Sequence, residues 1–142
     1  MQGRFYEYKK LSKYPRMKPE DVAVWERFIE NNPDYFDNVE YDVEIGAGAP
    51  QNPELPENIQ ADGKILTQKK IDVVGYRDDV VYVIELKPTA DMRCLGQMLT
   101  YPTLYKATYS PIAEVKSMVI CREVERELDA LFAEHDIEIK IA

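Results

Sequence analysis

One stretch limits what this chain can fold into more than any other: Lys70-Ile-Asp-Val-Val-Gly-Tyr-Arg-Asp-Asp-Val-Val-Tyr-Val-Ile-Glu-Leu-Lys87. It reads as two apolar strands folded back on each other through Arg77, Asp78 and Asp79. Strand side chains alternate faces. Val74, Val81 and Val83 therefore share one face, and Ile71, Val73, Val80, Tyr82, Ile84 and Leu86 the other. With both faces apolar, the hairpin belongs in the middle of a sheet covered on both sides. Each strand nevertheless carries an acid, Asp72 on the first and Glu85 on the second, and Lys87 points the same way as Glu85. If Asp78-Asp79 is a two-residue turn, Arg77 faces Val80 and Asp72 falls opposite Glu85, with β-carbons about 5 Å apart. An Asp-Gly or Asn-Gly pair would be a stronger two-residue turn signal.

A lone carboxylate in an apolar interior is costly, and two like charges are costlier. A hard divalent cation with oxygen ligands relieves both costs. An ordinary Glu85–Lys87 ion pair is the plainer alternative. The burial of the run and the second acid at Asp72 count against it.

The 142 residues suit one domain with one core, and 45% hydrophobic content is that of a globular chain. No apolar run is long enough for a membrane span, and the start lacks the apolar stretch of a signal peptide. Cys94 and Cys121 lack metal-ligand spacing and read as buried, reduced thiols of a cytoplasmic protein. His135 is the single histidine, which leaves little for a histidine zinc site or a Ser-His-Asp triad. A net charge of −8 excludes a passive nucleic-acid coat. It does not exclude an enzyme that neutralises its site with metal. Residues 1–18 stand apart, with Arg4, Lys9, Lys10, Lys13, Arg16 and Lys18 against Glu7, a local charge of +5. Phe5, Tyr6, Tyr8 and Tyr14 interleave with these bases. The segment reads as a phosphate- and base-contacting arm, or as an edge strand whose tyrosines pack on the core.

Pro19 to Pro33 reads as a helix, with acids at its start and Asn31-Asn32-Pro33 at its end. Val22, Val24, Trp25, Phe28 and Ile29 form its core stripe, and Glu26 borders it. Val39 to Ile45 alternates Val39, Tyr41, Val43 and Ile45 against Glu40, Asp42 and Glu44, a strand with one wet face. Gly46 to Gly63 reads as a long loop beside the substrate groove. A helix over Met92–Ala107 buries Leu95, Met98 and Leu99, places Gln97 and Tyr101 on one face, and is kinked or ended by Pro102. Val115–Cys121 is a buried strand, Glu123–Glu134 a helix with Val124, Leu128, Leu131 and Phe132 inward, and Ile137–Ile141 a last strand. The order implies an α/β fold with a mixed sheet.

These residues resemble the PD-(D/E)xK nuclease superfamily. Asp72 stands at the motif aspartate, Glu85-Leu86-Lys87 at the (D/E)xK tripeptide, and Gln97-Met-Leu-Thr-Tyr101 matches the Gln-x-x-x-Tyr of the RecB-type branch. Glu26 stands where many members carry a first-helix glutamate. Ile71 replaces the motif proline, and no histidine lies on the first helix. The resemblance covers roughly residues 20–122 and implies a mixed central sheet with flanking helices, a restriction-endonuclease-like αβββαβ core. It implies an arm at 1–18 followed by a single nuclease-like domain at 19–142. It also implies an Mg²⁺- or Mn²⁺-dependent deoxyribonuclease for DNA repair, recombination, or phage or defence DNA processing. Asp72, Glu85, the Leu86 carbonyl and Glu26 would bind metal. Lys87 would orient the attacking water or stabilise developing charge, and Gln97 and Tyr101 would contact the phosphate backbone or steady Lys87. The expected partners are DNA and a second copy in a homo-oligomer, with no membrane. Two alternatives stand beside this one: a non-catalytic nucleic-acid-binding or assembly module of the same fold, and an unrelated α/β protein that acts through protein partners.

Overall fold

The computed structural model describes residues 4–142. Its elements are β1 (Phe5–Tyr6), α1 (Pro19–Asn31), β2 (Asn38–Ile45), α2 (Glu57–Thr67), β3 (Lys69–Arg77), β4 (Val80–Ala90), α3 (Met92–Tyr109), β5 (Glu114–Val124), α4 (Asp129–Glu134) and β6 (Ile137–Ile141). The six strands form one sheet in sequence order. β1 to β4 run antiparallel to their neighbours, while β4–β5 and β5–β6 are parallel. The mixed α/β sheet and the αβββαβ order expected from the sequence are both present. The crossover through α3 makes the first parallel pair, since parallel neighbours need a long connection.

Two apolar layers sandwich the sheet. On one side α1 packs Val24, Trp25 and Phe28 against Val73, Ile84, Leu86, Met118 and Ile120. On the other, Cys94, Met98 and Tyr105 of α3 and Phe132 of α4 cover Val74, Val83, Val119 and Cys121. The strands at the centre are thus buried on both faces, as their apolar runs require. Gly75 belongs to this packing, because a β-carbon there would lie 2.6 Å from the Phe36 ring. In the N-terminal arm, whose residues 1–3 lie outside the described part, β1 pairs with β2 at the sheet edge. Tyr8 and Tyr14 pack beside Trp25 and Tyr41. Tyr14 is therefore core and Tyr6 and Tyr8 pack against it, while Phe5 stays half exposed.

Five local expectations change. Most of α2 lies in the 46–63 segment expected as loop, and the helix buries none of its residues, leaving Ile59, Ile65 and Leu66 exposed. Strand β5 continues to Val124, and only Asp129–Glu134 of the expected 123–134 helix is helical. Leu128 and Phe132 are buried, but Leu131 is 38% exposed. α3 runs unbroken through Pro102. It buries Cys94, Met98, Pro102 and Tyr105, and Leu99 faces outward. Finally, β2 has no single wet face: Glu40 is completely buried.

The β2 difference has a local cause. Val39 and Tyr41 pack on the α1 side, but Val43 and Ile45 pack on the α3 side. Strict alternation would keep all four together. Asp42, at φ 53, adopts the left-handed conformation between them and reverses the facing. Opposite it, β3 does the same: Val73 faces α1 and Ile71 faces α3, with Asp72 between. Tyr41↔Val73 and Val43↔Ile71 remain paired across the two strands. Both strands therefore switch faces at one level of the sheet, and Asp42 and Asp72 mark it.

Candidate functional site

The hairpin register is the expected one: Arg77 pairs with Val80 and Val73 with Ile84. The recorded pairing ends there, and carboxylates take over the next backbone donors. The Leu86 amide donates to Asp72 Oδ2 at 3.0 Å. The Asp72 amide donates, at 3.4 Å, to Glu85 Oε1. Asp72 and Glu85 are thus brought together as the sequence implied, by a crossed pair of side-chain-to-backbone bonds where β3 and β4 part. A strand residue directs its N–H and C=O to the same side, so the Leu86 carbonyl also faces β3.

Glu85 is 2% exposed. Burial first, and then the charge of Asp72, push its carboxyl well above the usual range, with Lys87 opposing. Lys87 forms no ion pair with Glu85 among the described residues, whose ion pairs lie elsewhere. The plainer account of the Glu-x-Lys tripeptide, a simple salt bridge, is therefore not what the fold builds.

Other groups share this field. Asp21, in the first turn of α1, is pushed up to about 6, chiefly by burial and then by Asp72, while Lys87 and Lys18 pull it down. Burial also raises Asp42, against the pull of Arg16 and Lys70 and with Asp72 adding to the rise. Arg16 Nε lies 3.6 Å from the Asp42 carboxylate. Acids Asp21, Asp42, Asp72 and Glu85 are thereby interleaved with bases Arg16, Lys18, Lys70 and Lys87. The Cys94 thiol, at the start of α3, is pushed up to about 12 by burial and by Glu85. It is an inert packing group, not a nucleophile.

Glu26 takes a different place. It accepts a hydrogen bond from the Tyr14 hydroxyl at 2.9 Å, tying the arm to α1. The α1 acid in the field of Asp72 and Lys87 is Asp21, which the sequence reading passed over as a helix-start residue. Its signal was available: Asp21 lies four residues before Trp25 and seven before Phe28, on the stripe that faces the sheet. Gln97 Nε2 bonds the Tyr101 hydroxyl at 3.4 Å. Gln97 Oε1 is buried and finds no hydrogen-bond donor among the described residues. None of the described hydrogen bonds joins Gln97 or Tyr101 to Lys87.

Among the described residues no group of three or more His, Cys, Asp or Glu side chains is arranged to hold a metal ion. The donor set fits a hard divalent cation all the same. Mg²⁺ takes one or two protein carboxylates and keeps several waters, and Asp72, half-buried, and Glu85, buried, are two oxygen donors whose mutual repulsion a cation would relieve. No described helix is long and apolar enough to cross a membrane.

No family model matches the chain, and no curated protein matches it. Two solved structures are similar over most of its length. One, described as a repair endonuclease from Pyrococcus abyssi, shares 18% identity over 93% of this chain and 49% of that one, with a TM-score of 0.48. The other, a complex of EndoMS with double-stranded DNA, shares 14% identity over 94% of this chain and 49% of that one, with a TM-score of 0.51. The chain therefore spans about half the length of either protein. What it has in common with the EndoMS structure is a fold, the mixed α/β sheet flanked by helices.

Proposed function

We propose that the protein is a divalent-metal-dependent deoxyribonuclease of the PD-(D/E)xK type, related to the RecB branch through Gln97 and Tyr101. The observation that carries this is the crossed Asp72–Glu85 pair, a buried carboxylate held against a half-buried one with Lys87 two residues on. The EndoMS structure was solved with double-stranded DNA, which supports DNA as the substrate.

Asp72, Glu85 and the Leu86 carbonyl would hold Mg²⁺ or Mn²⁺. Once bound, the ion supplies Lewis acidity toward a phosphate oxygen and a water of lowered pKa. The remaining work falls to the protein. Arg16, Lys18 and Lys70 attract the polyanion toward the end of the sheet where β3 and β4 part. Lys87, in the field of Glu85 and Asp21, would offset negative charge that develops on the phosphate during attack. Asp21, with its carboxyl pushed up to about 6, accepts or returns a proton near neutral pH. Tyr101, held by Gln97 Nε2, would donate its hydroxyl to the phosphate backbone.

The test is a cleavage panel of linear, circular and single-stranded DNA with Mg²⁺, Mn²⁺ or EDTA. Wild type cleaves with metal and not with EDTA. Asp72→Ala, Glu85→Ala and Lys87→Ala each lose at least about a hundredfold, the scale of one lost transition-state contact, while circular dichroism stays unchanged. Equal cleavage by wild type and Lys87→Ala would falsify the assignment. A protein that binds DNA but cleaves nothing is the non-catalytic module.

A further inference from the structure

The opposite end of the β3–β4 hairpin bears none of the residues assigned above, and it opens a cleft of about 640 Å³. Its floor is aromatic and apolar, made by Tyr76 of β3, Val81 of β4 and Tyr105 of α3. Ile112, on the connection from α3 to β5, borders it with its side chain wholly in solvent. The rim is acidic, with Asp78 and Asp79 in the hairpin turn and Glu114 at the start of β5.

None of these three carboxylates forms an ion pair among the described residues. No base lines the cleft. Arg77, beside the turn, is spent elsewhere, its guanidinium lying 4.2 Å from the centre of the Tyr35 ring. Lys116 follows Glu114 by two residues but makes no ion pair with it. The volume falls within the usual range of binding clefts, roughly 300–1,000 Å³.

Apolar contact alone would select nothing, and exposed carboxylates alone hold cations weakly in water. Together they select polypeptide that carries apolar side chains among arginines or lysines. Long basic side chains lay their methylenes on an apolar floor and keep their charge at the rim. Phosphate-bearing partners are turned away by the same three acids. Asp78, in the turn just past β3, lies six residues from Asp72, about 20 Å at ~3.3 Å per residue, so an occupant here leaves the Asp72–Glu85 end open. We propose that this cleft docks a basic, apolar-containing segment of a partner protein.

The probe is a fluorescein-labelled peptide of alternating arginine and leucine, followed by fluorescence anisotropy on the intact chain. It is compared with a lysine–serine peptide of equal charge and a glutamate–leucine peptide. The arginine–leucine peptide binds at least tenfold more tightly than either. Asp79→Lys with Glu114→Lys, and separately Ile112→Ser, each weaken it at least tenfold. Glu54→Lys with Glu134→Lys, an equal change of net charge outside the cleft, leaves it within twofold, and DNA cleavage by all the variants matches wild type. Equal loss in both charge-reversed pairs overturns the proposal, because binding would then follow overall charge. So does equal affinity for the lysine–serine peptide. So does a wild-type dimer by sedimentation that Ile112→Ser dissolves, because a second copy would then be the occupant.

Discussion

Two glutamates lie in the middle of this sheet, and they behave as opposites. Glu40 is completely buried and Glu85 is 2% exposed. Glu40 sits among tyrosines: the Tyr76 hydroxyl donates to it, and the Tyr105 hydroxyl lies 3.4 Å from that of Tyr76. Burial and the carboxylate hold the Tyr76 proton firmly in place, pushing that phenol well above its usual value. The acid is therefore supplied with a permanent neutral donor. Glu85 instead faces another acid, and the donor it finds is a backbone amide at 3.4 Å. A buried carboxylate is therefore not by itself a mark of chemistry. What marks the Glu85 end is repulsion that the protein leaves for something else to relieve.

The largest expected separation between the two is in cleavage. Glu85→Gln removes at least about a hundredfold of metal-dependent activity, and Glu40→Gln leaves it within a few-fold, measured on the same DNA. If both variants lose activity alike, Glu40 belongs to the working site and the contrast fails. Stability should divide the other way. Tyr76→Phe strips a donor from a buried carboxylate and costs ~1–3 kcal/mol, read from the urea midpoint. Glu85→Gln without divalent metal raises the midpoint at neutral pH, because it removes a like charge, and Mg²⁺ stabilises wild type but not this variant.

The smallest effect is the pH response of Asp21. Its folded pKa lies above the ordinary carboxylate value of 3.8, at about 6. The folded protein therefore holds more protons than the unfolded chain between those values, and stability falls as pH rises through that window. Asp21→Asn flattens this part of the stability–pH curve, modestly, because the group is half in solvent. A curve unchanged by the substitution would mean that α1 does not hold Asp21 against Asp72 in solution.

The sequence determined the hairpin, its register and the meeting of Asp72 with Glu85, because two-residue periodicity and a short turn are local properties that survive into any fold containing them. It determined α1 and its stripe for the same reason. It also carried the order of elements, and with it the mixed sheet. Only the tertiary structure decided where the alternation breaks. A single left-handed residue at Asp42, with its counterpart at Asp72, reverses the facing of two strands. Aspartate permits that conformation without demanding it. The same break turned Glu40 inward to the tyrosines of β3 and α3, against the wet face that its spacing implied. Pro102 stayed inside α3 because packing against the sheet outweighs one lost hydrogen bond. Which acid of α1 meets the field of Asp72 was likewise settled by how the helix lies across the sheet. The pitch of α1 brings Asp21 into the field of Asp72 and leaves Glu26 to Tyr14, and no spacing within the helix specifies what stands on the other side.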